Sequence, residues 1–196
     1  MWRAAFFGFL MLASMPAAAD GFDVTRLVAA AEGQTAYTKT YDPAYRKIPY
    51  PNGDVPMETG VCSDVVIRAY RALGIDLQQR VHEDMKRHFA LYPKTWRLTR
   101  PDTNIDHRRV PNLQVFFTRH GESLPVTDKA ADYLPGDIVT WNLAAPQKMI
   151  PHIGIVSAQQ SADGARPLVV HNIGSGTKTE DILFSYKITG HYRYAP

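Results

Sequence analysis

The chain has 196 residues, of which 45% are hydrophobic and 11% aromatic. That is enough for one domain with a real core and short for two, and too apolar for intrinsic disorder. Its 22 basic and 19 acidic residues leave a formal charge of +3; with no basic run interleaved with aromatics, so mild an excess excludes nucleic acid as a partner.

Met1-Trp2-Arg3 is a short positive start, Ala4 to Ala13 is unbroken apolar sequence, and Ala17-Ala18-Ala19 precede the polar Asp20. This order predicts a secretory signal over residues 1–19, cleaved after Ala19. A membrane-spanning helix needs about 20 apolar residues, so the stretch is short for a permanent span; an uncleaved anchor is the rival reading. No cysteine lies near the cleavage point to carry a lipid. The expectation is an exported protein, periplasmic or extracellular, with no stable membrane anchor. Residues 20–196 would form one monomeric domain.

Phe22 to Ala31 predicts a first helix ending at Gly33. Tyr37 to Gly60 is rich in Tyr, Pro and Gly and predicts a loop wall with room for one short strand, since its prolines exclude a regular helix. From Val61 to Leu73 the apolar residues Val65, Val66, Ala69, Tyr70 and Leu73 form one stripe at the helical period, with Arg68 and Arg71 on the other side and Gly74 as the stop. Cys62 falls in the first turn of that helix. A further helix is predicted over Leu77–Leu91, ending before Pro93. Thr99–Arg109 is an irregular loop, and a short helix follows over Pro111–His120. Beyond Leu134 the period changes to that of strands, over Ile138–Trp141, His152–Ser157, Leu168–His171, Ile182–Tyr186 and His191–Tyr194. Short strands joined by tight turns give an antiparallel sheet. Helices first and sheet afterwards make the class α+β.

Cys62 is the one cysteine of the chain, so in an oxidising compartment it has no partner within it. Buried filler is the plain alternative. A thiol attacks as the thiolate, and its ordinary pKa of about 8.5 leaves little of that form at neutral pH. A helix N-terminus favours the negative charge. A neighbouring imidazole takes the proton, and a third polar group fixes that imidazole's tautomer. His152 and His171 sit on consecutive predicted strands, where a hairpin would bring them within hydrogen-bonding reach. Asn172 is chemically an equal orienter. Amides around Cys62 and Ser63 suit an oxyanion hole.

Val61-Cys62-Ser63-Asp64, Pro135-Gly136-Asp137-Ile138-Val139 and His152-Ile153-Gly154-Ile155-Val156 resemble the core of NlpC-type cell-wall peptidases and amidases. More closely, the chain after the signal is similar to the bacterial family called domain of unknown function 1287. The stretches that carry this are Glu58 to Tyr70, Pro101 to Arg109 and Val170 to Gly174. The wider resemblance implies a papain-like fold, with Cys62 as nucleophile, His152 as general base and His171 as orienter. It also implies a substrate-binding or oxyanion role for Tyr50, in the loop before the cysteine helix. One departure is Val61, where the NlpC pattern usually carries aspartate.

Asp102, Asp106 and His107 have the chemistry of metal ligands, but turn formation accounts for Asp and Asn there. No metal or cofactor is expected. Arg108 and Arg109 suit a clamp on a substrate carboxylate, against internal salt bridges as the alternative. His82, Glu83, Asp84 and His88 read as a polar helix face. Together these readings point to an exported cysteine amidase or endopeptidase acting through a thioester, with the peptide stems of peptidoglycan, or peptides derived from them, as partner. The alternative is a non-catalytic envelope protein holding wall peptides in a papain-like cleft. A redox role lacks the second, resolving cysteine.

Overall fold

The computed structural model describes residues 21–196; the signal expected over residues 1–19 and its cleavage after Ala19 lie outside them. Asp23 caps the first helix, α1 (Val24–Gly33), by accepting the Arg26 amide at 3.0 Å. The tyrosine- and proline-rich wall carries two short strands, β1 (Thr40–Tyr41) and β2 (Thr59–Gly60), paired in parallel. α2 (Cys62–Arg71) follows directly, and Gly74 closes its end in the left-handed region at φ +79°. α3 (Leu77–His88) is capped by Asp76. α4 (Val110–His120) has Pro111 in its first turn, where the missing N–H costs nothing.

The sheet comes after the helices, so the class is α+β. Its strands are β3 (Glu122–Ser123), β4 (Ile138–Asn142), β5 (Pro151–Gln160), β6 (Pro167–Asn172), β7 (Thr177–Glu180) and β8 (Lys187–Arg193). Among the described residues they run antiparallel in the order β3-β8-β4-β5-β6-β7. Side chains alternate across a strand. Ile138, Ile153 and Ile155 accordingly join Val66, Tyr70, Leu27 and Phe117 in the main core, while Val139, Trp141, Val156 and Val169 form a second cluster with Leu183. Each fully buried Val, Leu, Ile or Phe contributes about 1.5–3 kcal/mol.

Three sequence expectations need correction. Ile182–Tyr186 is a turn and not a strand: Leu183 is drawn into the second cluster, and its carbonyl accepts the Trp141 indole N–H at 2.9 Å. Arg68 is not on a solvated side of α2. It is buried beneath the wall, where its guanidinium meets the Asp54 carboxylate at 3.0 Å and the Thr38 hydroxyl at 3.0 Å. Asp84 leaves the polar face assigned to it; it is buried, and accepts from Tyr92 (2.6 Å) and Arg119 (2.8 Å), tying α3 to α4.

Candidate active site

Cys62 is the first residue of α2, and its N-cap, Val61, has no side-chain acceptor. Asp64 reaches back to the Val61 amide at 2.7 Å, which completes half of a capping box. Because no cap side chain takes them, the amides of Cys62 and Ser63 remain directed at the sulfur, together with the amide of Ile153 on β5. The thiol therefore lies at the positive end of a helix and against the residue that follows His152.

His152 is buried, in register with Trp141 on β4 and tilted against that ring at 5.9 Å between centroids. Its Nε2 lies 3.0 Å from Nδ1 of His171, with the two rings perpendicular. Neighbouring strands thus unite the two histidines. Nδ1 is the nitrogen that His152 keeps for other chemistry. Among the described residues no hydrogen bond joins His152 to Cys62 itself; such contacts commonly tighten only when substrate binds.

Asn172 does not share this hydrogen bond. Its amide donates to the Gly60 carbonyl at 3.1 Å, which ties the end of β6 to the approach of the cysteine helix. The Ser63 hydroxyl is also engaged, donating to the Arg108 carbonyl at 2.7 Å; only its backbone amide faces the thiol. Arg108 is no free clamp. It makes a bidentate pair with Asp64 at 2.9 and 2.8 Å, both side chains buried. Burial opposes its charge, but the carboxylate outweighs that and holds Arg108 above its ordinary pKa.

Tyr50 lies apart from this group, with its ring edge-on to His82 on α3 at 5.1 Å. The tyrosine beside the thiol is Tyr41 of β1, nineteen residues closer to the N-terminus than β2's Gly60. It borders a cleft of ≈190 Å³ with Cys62, Pro43, Trp96, Arg109, Pro111 and Pro151. Arg109 stacks on Trp96 at 4.1 Å and pairs with Asp106 at 3.1 Å. With Arg108, which Asp64 already holds, it is one of two arginines lining an otherwise largely apolar cleft. Tyr41 belongs to a Tyr-Asp-Pro turn visible in the sequence, whereas nothing local marks Trp96. Asp102 is taken up by the Asn104 amide and Tyr45, and His107 is buried. Among the described residues no group of three or more His, Cys, Asp or Glu is placed to hold a metal.

Burial sets the protonation of the pair. It pushes the Cys62 thiol up to about 12, with the nearby Asp64 charge adding to the rise and the amides opposing it. It pushes His152 down to about 3, helped by His171. An acid raised and a base lowered both favour the neutral thiol and imidazole. Thiolate absorbance near 240 nm is therefore expected to be absent from pH 5 to 9, and the His152 ring is expected not to titrate in that range by NMR. Thiolate absorbance at pH 5, the mark of a preformed ion pair, would contradict this.

The model of a protein family described as "Domain of unknown function (DUF1287)" matches residues 28–194. An uncharacterized protein, YijF of Escherichia coli (strain K12), is 54% identical over 164 residues, 84% of this chain and 78% of that protein. Among solved structures, NlpC1 from Trichomonas vaginalis covers 93% of this chain at 17% identity with a TM-score of 0.48, and this chain spans 47% of that one.

Proposed function

For a chain that belongs to the family described as domain of unknown function DUF1287, we propose the activity of an exported cysteine hydrolase that cleaves an amide bond through a thioester on Cys62. The observation that carries this reading is the His152–His171 hydrogen bond of 3.0 Å, on the strand whose Ile153 amide faces the Cys62 sulfur. A buried imidazole pair on the strand whose next amide meets a thiol at a helix N-terminus is a costly arrangement for a merely structural cysteine.

The Cys62 sulfur attacks the carbonyl carbon as its proton passes to Nδ1 of His152. The carbonyl oxygen, now an oxyanion, meets the Cys62 and Ser63 amides. Collapse breaks the C–N bond, and His152 returns the proton to the leaving amine. Water then attacks the thioester with His152 again as base, releasing the acid and restoring the thiol. Generating the nucleophile only at the moment of attack suits a pair that rests neutral.

The cleft is narrow, walled by proline and aromatic side chains, with Arg109 stacked on Trp96 and paired with Asp106 beside the Arg108 already held by Asp64. That suits an extended peptide bearing a carboxylate. For a protein exported to the bacterial envelope, the accessible polymer of this kind is the peptide stem of peptidoglycan.

A second reading, a cleft that holds wall peptides without cutting them, draws on the raised thiol pKa and the lack of a Cys62–His152 hydrogen bond among the described residues. Residues 20–196 and the Cys62→Ala variant, incubated with purified peptidoglycan and followed by mass spectrometry of soluble products, separate the two. Fragments from the wild type alone are expected, and their masses identify the bond. Co-sedimentation of both proteins with the polymer, without fragments, would overturn hydrolysis in favour of binding.

A further inference from the structure

We propose that Glu180 is a positioning residue that sets the proton on both histidines and so leaves Nδ1 of His152 bare for the thiol. The proposal rests on the reading of His152 as the base for Cys62, and adds to it a residue that the cysteine and two histidines do not include.

Glu180 ends β7, the edge strand. In register, His171 lies opposite Lys178, and Glu180 lies opposite Val169. Because strand side chains alternate, Lys178 and Glu180 share the face of His171, and Glu180 stands on its diagonal, within reach of a long side chain. Its Oε2 is 3.0 Å from Nε2 of His171. The His171 side chain is fully buried, and that nitrogen has no aligned hydrogen-bond partner among the described residues. Glu180 is thus the group at hand to satisfy a buried polar atom that would otherwise be costly.

The proton assignment follows step by step. A carboxylate oxygen at 3.0 Å from an imidazole nitrogen repels a bare lone pair and attracts an N–H. Nε2 of His171 therefore carries the proton. A neutral imidazole has one N–H, so Nδ1 of His171 is an acceptor. Its partner at 3.0 Å, Nε2 of His152, must then be the donor. His152 in turn has no proton left for Nδ1, the nitrogen that must accept one from Cys62. With the opposite assignment, His171 would donate from Nδ1, and His152 would present N–H to the thiol and be useless as a base. A tautomer held wrongly in this way disables a catalytic imidazole even when its geometry is intact.

The other charge on this face is Lys178, whose Nζ is 3.9 Å from Oε1 of Glu180, the oxygen not directed at His171. Burial lowers His171 and the Glu180 charge opposes this, while Lys178 acts with burial. The same carboxylate therefore also favours the transient positive charge that the pair carries during proton transfer.

The test is Glu180→Gln in the full chain after export, labelled with 15N histidine. The amide keeps the shape, but it can meet either a bare nitrogen or an N–H and so dictates neither. Long-range 15N–1H correlation spectra of the wild type are expected to show His152 with its proton on Nε2. In Glu180→Gln a second His152 form, protonated on Nδ1, is expected, with the thermal midpoint unchanged. On a cleaved peptide, kcat is expected to fall about 10–100-fold with KM little changed, the size usual for groups that orient a ligand or base. Lys178→Ala is expected to leave the tautomer as in the wild type. His152 remaining wholly in the Nε2 form in Glu180→Gln, or shifting equally in Lys178→Ala, would overturn the proposal. The spectra need no substrate, so a protein that cuts nothing refutes amide hydrolysis while they still decide what Glu180 does.

Discussion

Truncation of Cys62 or His152 to alanine is expected to lower kcat on a cleaved peptide by about 10⁴-fold or more. Cys62→Ala removes the atom that forms the thioester, and its neighbours offer no replacement: Ser63 directs its hydroxyl to the Arg108 carbonyl at 2.7 Å, and burial raises the Tyr41 phenol above its ordinary pKa. His152→Ala removes the proton acceptor from a thiol that burial has raised to about 12, so almost no thiolate is present at neutral pH without it. Losing either member of a nucleophile–base unit costs nearly as much as losing both. The double variant is therefore expected to be no slower than the worse single one. His152→Ala also leaves Nδ1 of His171 without its partner at 3.0 Å, so folding must be checked by thermal melting and circular dichroism. A folded His152→Ala protein that retains a tenth of wild-type kcat would remove His152 from the mechanism.

Asp64→Ala is expected to destabilise the protein by about 3–5 kcal/mol. The variant leaves Arg108, buried and otherwise bound bidentately, as an uncompensated interior charge. It also frees the Val61 amide that Asp64 accepts at 2.7 Å, a capping loss of about 1 kcal/mol by itself. The pair joins the first turn of α2 to the turn Asp106–Arg108, from which the cleft wall Arg109–Pro111 continues. Activity should fall with stability, since both cleft and thiol are anchored there. Replacing both partners by apolar residues, Asp64→Leu with Arg108→Met, is expected to recover most of the loss, because the penalty lies in the unpaired charge and not in the absent bond. Urea titrations at unchanged m-value measure both. A cost below about 1 kcal/mol for Asp64→Ala would mean that water reaches Arg108 and that the pair is a surface one.

The placement of Asp64 and Arg108 shows where reading from sequence stops. Their types and the nearby turn are visible locally, but the partner of Arg108 lies 44 residues away, and a guanidinium at the mouth of a cleft serves a substrate or a carboxylate of its own chain equally well. Folding chose the second. Arg68 is the same case: helical spacing sets it opposite the apolar stripe, yet the wall folds over it and supplies Asp54. Tyr41 lies beside the thiol, and the Tyr50 that the resemblance implied lies against His82, because a loop of tyrosines and prolines has no period from which to tell which ring turns inward.

What the sequence determined by itself is local and periodic. The apolar stripe from Val65 to Leu73, with Gly74 beyond it, is enough to place a helix with Cys62 in its first turn. The alternation around His152 and His171 is enough to place them on consecutive strands, and consecutive strands with a short connection pair as a hairpin. The class α+β followed from the order of those elements. The tertiary structure alone decided which groups surround the histidines and the thiol. β7 reads Thr-Lys-Thr-Glu, without an apolar residue to signal a strand, because an edge strand can form from backbone hydrogen bonds with polar side chains on both faces. The apolar run Ile182–Tyr186 signals a strand and is none, because Leu183 fills a gap beneath Trp141. Periodicity records only which residues avoid water, whereas the partner of a polar side chain is set by how distant segments meet.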